Sequence, residues 1–140
     1  MGYKTVTPGT KRLERDLRSE PLLGTLGLGR HTVTLGKVQA TTTSVTFVCT
    51  DNHGDKLDTR VFMRDFSNPD AINGRMKALL SATAKDSNEL MRLAEAILDG
   101  EFHELAMLDG KRLTVEVGMN GDDLDVIRFG RAAPKRTLAF

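Results

Sequence analysis

The chain has 140 residues, 39% hydrophobic and 28% charged, with a formal net charge of +1. That length suits one domain burying roughly two-thirds of its unfolded surface, and the composition is too balanced for a chain disordered throughout. One cysteine, Cys49, and no apolar run near 18 residues exclude a disulfide scaffold, a collagen and a helical membrane span.

Met1-Gly2-Tyr3-Lys4-Thr5-Val6 has neither the apolar stretch of a signal peptide nor the Ser or Thr that a myristoylation signal wants where Val6 sits, so a reducing, cytoplasmic setting is expected. Residues 1–28 read as a basic N-terminal arm. Thr7-Pro8-Gly9-Thr10 and Ser19-Glu20-Pro21 are breaks, and between them only Leu13 and Leu17 are apolar, enough for one exposed helix of about two turns, marginal alone. Gly24, Gly27 and Gly29 keep the chain supple before residue 30.

From there the period becomes two. Thr32-Val33-Thr34-Leu35 alternates as a half-buried strand does, and Gly36 then throws Val38 out of phase, which predicts a β-bulge at Gly36. Residues 44–50 and 56–64 predict the second and third strands, joined by Asp51-Asn52-His53-Gly54-Asp55, a loop of hairpin chemistry. Asn68-Pro69-Asp70 predicts a helix start, with Ile72, Met76, Leu79 and Leu80 on one face. A second helix opens at Asp86 or Ser87 with Glu89 placed for a capping box, carries Leu90, Leu93, Ala94 and Ile97 as its stripe, and exits at Gly100. Residues 101–108 fit neither period. Strands over 111–117 and 124–129 follow, with Asn120-Gly121 as the hairpin signal between them, and residues 131–140 form a basic tail.

Three strands, a helical segment and two more strands make a mainly β chain. The order is that of an OB fold, a small, partly open five-stranded Greek-key barrel with a helical segment between strands three and four, here over residues 29–130. The alternative architecture is an open antiparallel α+β sheet backed by helices.

Charge is unevenly spread. Residues 1–40 carry seven Lys and Arg against three acidic residues, a surplus of +4; residues 41–110 carry seven against twelve, or −5; residues 111–140 carry six against four, or +2. A molecule so divided meets a polyanion with one side and turns the acidic helical part away, unless the acidic middle is only solvated helix surface. In the third strand Leu57, Thr59, Val61 and Met63 share one face, and Asp58, Arg60, Phe62 and Arg64 the other. An aromatic between two arginines is what single-stranded nucleic acid needs, since bases stack on the ring and guanidinium groups meet phosphates. The alternative is that Phe62 packs under the arm or a helix and the arginines are merely solvated. Phe47 is assigned to the core. Arg30 and Lys37 around strand one, Lys111 and Arg112 at strand four, and Arg128 in strand five extend the basic groove, with Lys4, Lys11, Arg12, Arg15 and Arg18 of the arm adding phosphate contacts.

Enzyme signals are weak. His31, His53 and His103 lack metal-ligand spacing, no cysteine pair exists, Cys49 reads as buried and inert, and Asp122, Asp123 and Asp125 lack the fixed spacing of a calcium loop. Gly24-Thr25-Leu26-Gly27-Leu28-Gly29 precedes a strand and is neither a dinucleotide fingerprint nor a P-loop. No enzyme activity, metal or cofactor is expected.

Over residues 28–130, on this strand order and on Leu108-Asp109-Gly110-Lys111-Arg112-Leu113-Thr114-Val115-Glu116-Val117, the chain resembles the phage-encoded single-stranded-DNA-binding proteins of OB fold. The resemblance implies binding and protection of single-stranded DNA, with RNA as a variant ligand, in phage-type replication and recombination. Such proteins often end in an acidic recruiting tail, whereas Ala132-Ala133-Pro134-Lys135-Arg136-Thr137-Leu138-Ala139-Phe140 is basic. The rival function is a structural or assembly protein, such as a virion component, whose arm and tail contact neighbouring copies in a homo-oligomer.

Overall fold

A computed structural model describes residues 24–132. The basic tail from residue 133 and most of the expected arm, including Lys4, Lys11, Arg12, Arg15 and Arg18, lie outside the described residues.

The protein is mainly β. Five strands, β1 (Gly29–Ala40), β2 (Ser44–Thr50), β3 (Lys56–Phe62), β4 (Arg112–Asn120) and β5 (Asp123–Arg131), form one antiparallel sheet in the order β3-β2-β1-β4-β5. Between β3 and β4 lie α1 (Gly74–Thr83), α2 (Ser87–Asp99) and a 3₁₀ helix (Phe102–Leu108). The strands are rich in Val, Thr and Phe, which suit a pleated half-buried surface. Their inward positions, among them Val33, Leu35, Val45, Phe47, Cys49, Val61, Leu113, Val115, Val117 and Val126, are buried together with Met76, Leu79, Leu80, Leu93, Ile97, Leu105 and Leu108 of the helices. The helices therefore cover the apolar face, and the alternate strand residues face away from them. Among the described residues, no helix is long and apolar enough to cross a membrane.

The predicted bulge is present. The β1–β2 register skips between Gly36 and Gln39, and Lys37 within the skip has φ 52°. A second irregularity, between Glu116 and Val117 on the β4–β5 ladder, breaks the simple alternation of β5, so that Val126 pairs with Val117 and Phe129 with Val115. The β4–β5 turn falls one residue later than an Asn-Gly turn would place it. Asn120 still pairs with Asp123, and Gly121, at φ 66°, takes the first loop position, where a positive φ favours glycine.

Three expectations are corrected. The first helix begins not at Asn68 but after Asn73, whose Oδ1 accepts from Arg75 N at 2.9 Å. Asn68 instead holds a turn, its Oδ1 accepting from Asp70 N and its carbonyl from Ala71 N, because the chain first returns beside the end of β3 through an Arg64–Ile72 bridge. That return also ends β3 at Phe62 rather than residue 64. Residues 24–26, at the end of the expected arm, dock on the sheet, a point the sequence left open: Leu26 is fully buried, Leu26 N donates to Lys56 O, and Lys56 N donates to Gly24 O. Finally, the sheet does not close into a barrel; it is open, as in the alternative antiparallel architecture. β3 and β5 are not paired with each other, and Arg75 in the first turn of α1 reaches both, donating through Nη1 to Arg60 O at 3.4 Å and through Nη2 to Val126 O at 2.7 Å.

The second helix follows its signals. Asp86 accepts from Glu89 N at 2.9 Å, and Glu89 Oε1 reaches back to accept from Lys85 N, one residue before the cap. Gly100, at φ 77° in the left-handed region, ends α2 with its N–H on the Ala96 and Ile97 carbonyls.

Candidate functional site

The strand register aligns the outward residues in rows. Arg30 faces Glu116, which faces Arg128; Thr32 faces Thr114, which faces Gly130. Arg112 faces Thr34, then Thr50, then Lys56; Val48 faces Asp58; and Gln39 faces Thr46, which faces Arg60. All these residues are exposed or half-buried. The result is a solvent-facing surface of hydroxyl groups with cations at both ends. Arg30, Arg112 and Arg128 stand on the β1–β4–β5 half, and Lys37, Lys56 and Arg60 on the β1–β2–β3 half. Asp58 and Glu116 are the carboxylates within these rows. Three shallow depressions of about 510, 640 and 430 Å³ follow this surface, Arg30 lining the first two and Lys37 with Arg60 the third.

Phe62 ends β3, half-buried and facing outward. The Arg60 guanidinium lies over its ring at 5.5 Å from the centroid, and Phe66 packs at 5.1 Å between centroids with the planes tilted by 60°. The cation holds one side of the aromatic and leaves a ring system at the rim.

The structure thus gathers Arg30, Lys37, Arg60, Phe62, Arg112 and Arg128 on one surface. Arg128 is paired there only across 4.0 Å with Glu116, and its side chain remains 79% exposed. Two other expected site residues serve the helices. Arg64 donates through Nη1 to Pro69 O and through Nη2 to the carbonyls of Ile97 and Leu98, at the C-terminal end of α2, where a cation meets the negative end of the helix. Lys111 is bonded to Glu89 at 2.7 Å near the other end of α2. This bond, with the Lys85 backbone N–H, holds the Glu89 carboxyl below its ordinary value against the opposing effect of burial. Both cations point to α2 because its capping groups need partners that the outward face would not supply.

Sequence reasoning missed the outward threonines and Lys56 as parts of the surface. Their signal was available: Thr32, Thr34, Thr46, Thr50 and Thr114 all hold the polar phase of an alternating strand. It also missed Arg75 and Arg131. Arg131 donates to Ser81 O and Ala84 O at the end of α1. No local pattern marks either arginine.

The remaining chemistry-bearing groups are held elsewhere. Cys49 is buried on the core face, and burial pushes its thiol up to about 11, leaving it protonated and inert at neutral pH. The His31 ring lies 2.7 Å from the Gly27 carbonyl. Glu101, His103 and Glu104 bring ligand atoms within 4.8 Å of one another on and beside the 3₁₀ helix, but Glu104 is already bonded to Arg92. Asp125 accepts from Val126 N and Asn120 and lies 3.7 Å from Arg75. No family model matches the chain, and a search of curated proteins finds no match.

Proposed function

We propose that the chain is a non-enzymatic, OB-type protein that binds single-stranded DNA without sequence preference, in phage-type replication or recombination. The outward face of the sheet carries this function. Its arginines and lysines offer contacts to phosphates, its threonine hydroxyls offer further donors, and the Arg60–Phe62 pair offers a ring for a base. The strand order supports the OB reading, since β3-β2-β1-β4-β5 with helices between β3 and β4 is the order that an OB barrel would have if opened between its third and fifth strands. The acidic helical segment packs on the opposite, apolar face, so its charge does not oppose a polyanion at the strands.

Phe62→Ala tests the function directly. Losing one stacked base weakens binding of a labelled poly-dT oligonucleotide by ~1–3 kcal/mol. Unchanged affinity would remove Phe62 from the site.

A further inference from the structure

We propose that Phe66 is a second base-stacking residue, its ring set at 60° beside that of Phe62 at the β3 end of the surface; this assignment rests on the single-strand reading above. Phe66 is 82% exposed, the most exposed large hydrophobic side chain among the described residues. It takes no part in the core. Among the described residues its ring contact is Phe62, over which the Arg60 guanidinium lies, so Arg60, Phe62 and Phe66 form a continuous chain of cation and aromatic surfaces.

The loop that carries Phe66 is held independently of that ring. Met63 N donates to Thr43 O, Asp65 N to Ala71 O, Asn73 N to Met63 O, and Arg64 to Pro69 O. Backbone bonds and Arg64 therefore fix the loop on both sides of residue 66 and present its ring at the rim. An exposed ring that neither fills the core nor holds its loop, and that extends an existing aromatic surface, is suited to stacking on a flat apolar ligand. Bases of a single strand are such ligands, and the cations next along the sheet fit the phosphates that join them. Phe66 also lies outside the strand periodicity that singled out Phe62, which is why residue spacing alone does not reveal it.

Two labelled oligonucleotides of equal length and charge test this, one poly-dT and one abasic. Phe66→Ala lowers affinity for poly-dT by about 5- to 100-fold, leaves affinity for the abasic strand unchanged, and leaves the melting temperature unchanged because the side chain buries so little. Phe66→Trp restores poly-dT binding. Equal poly-dT affinity in Phe66→Ala overturns the assignment and leaves the proposed function standing. An equal loss on both oligonucleotides also overturns it, since the ring would then act without a base. Absence of poly-dT binding by the unaltered protein overturns the function and this assignment together.

Discussion

Lys37 shows most clearly what one residue contributes. It stands in the left-handed region, at φ 52°, inside the β1 bulge. A side chain there costs roughly 1 kcal/mol relative to glycine, and among the described residues the exposed lysine makes no ion pair within 4.0 Å that would offset the cost. Strain of this kind concentrates at functional positions, and Lys37 lines the same depression as Arg60. Lys37→Gly is therefore expected to raise stability in urea unfolding by roughly 1 kcal/mol while weakening single-strand binding at low salt. A variant that is both less stable and equally tight in binding would contradict this. The same scale explains one failure of sequence reading. Arg60 and Arg64 occupy the same phase of one strand pattern, but the chain turns after Phe62, and Arg64 meets the end of α2 instead of solvent. Periodicity predicts a face only as far as the strand continues.

At the scale of elements, α2 is tied to the sheet at both ends, by Lys111 with Glu89 near its start and by Arg64 at its carbonyls. The Glu89 carboxyl titrates below its usual 4.5 when folded. A lowered folded value means the unfolded chain binds the proton more readily, so the stabilisation is fully present above the ordinary value and disappears as pH falls through the lowered one. Glu89→Gln should accordingly destabilise the protein at pH 7, and the gap to the unaltered protein should close in acid below 4.5. Urea unfolding at both pH values measures this, and a gap independent of pH would show that the ion pair is not its source. The cap of α2 was legible in Asp86 and Glu89 because it is local, as was the glycine that ends it. The start of α1 was not, because Asn68-Pro69 and Asn73 carry equally good helix-start chemistry locally. The choice is made by Asp65, Met63 and Ile72 pairing across the loop.

For the whole molecule, the edges β3 and β5, not paired with each other, leave a seam bridged by Arg75. Its guanidinium bonds a carbonyl on each edge, lies 3.7 Å from Asp125, and sits 5.7 Å from the Phe129 centroid. Hydrogen bonds to a charged group are worth about 1.5–3 kcal/mol each, reduced here by partial exposure. Arg75→Met, which keeps the stem, should cost about 2 kcal/mol of stability and speed hydrogen exchange in β5; unchanged exchange would mean the edges hold without it. Five strands and their order around the helices could be anticipated from alternation and turn residues. An open sheet was among the architectures the strand order allowed, but the arginine that bridges its two edges is placed by tertiary packing, and no local pattern marks it. The division of charge was visible in residue counts, but which cations share a surface required the register.

On the proposed function, this surface binds single-stranded DNA through phosphates and bases together. Fluorescence anisotropy with labelled poly-dT, titrated across salt with duplex of equal length as competitor, tests it most directly. About five phosphate contacts predict a log–log salt slope near −3.5 and a loss of about 100-fold in affinity between roughly 50 and 200 mM salt, with the single strand preferred over duplex. Absence of binding at low salt, or binding indifferent to both salt and strandedness, would contradict the account.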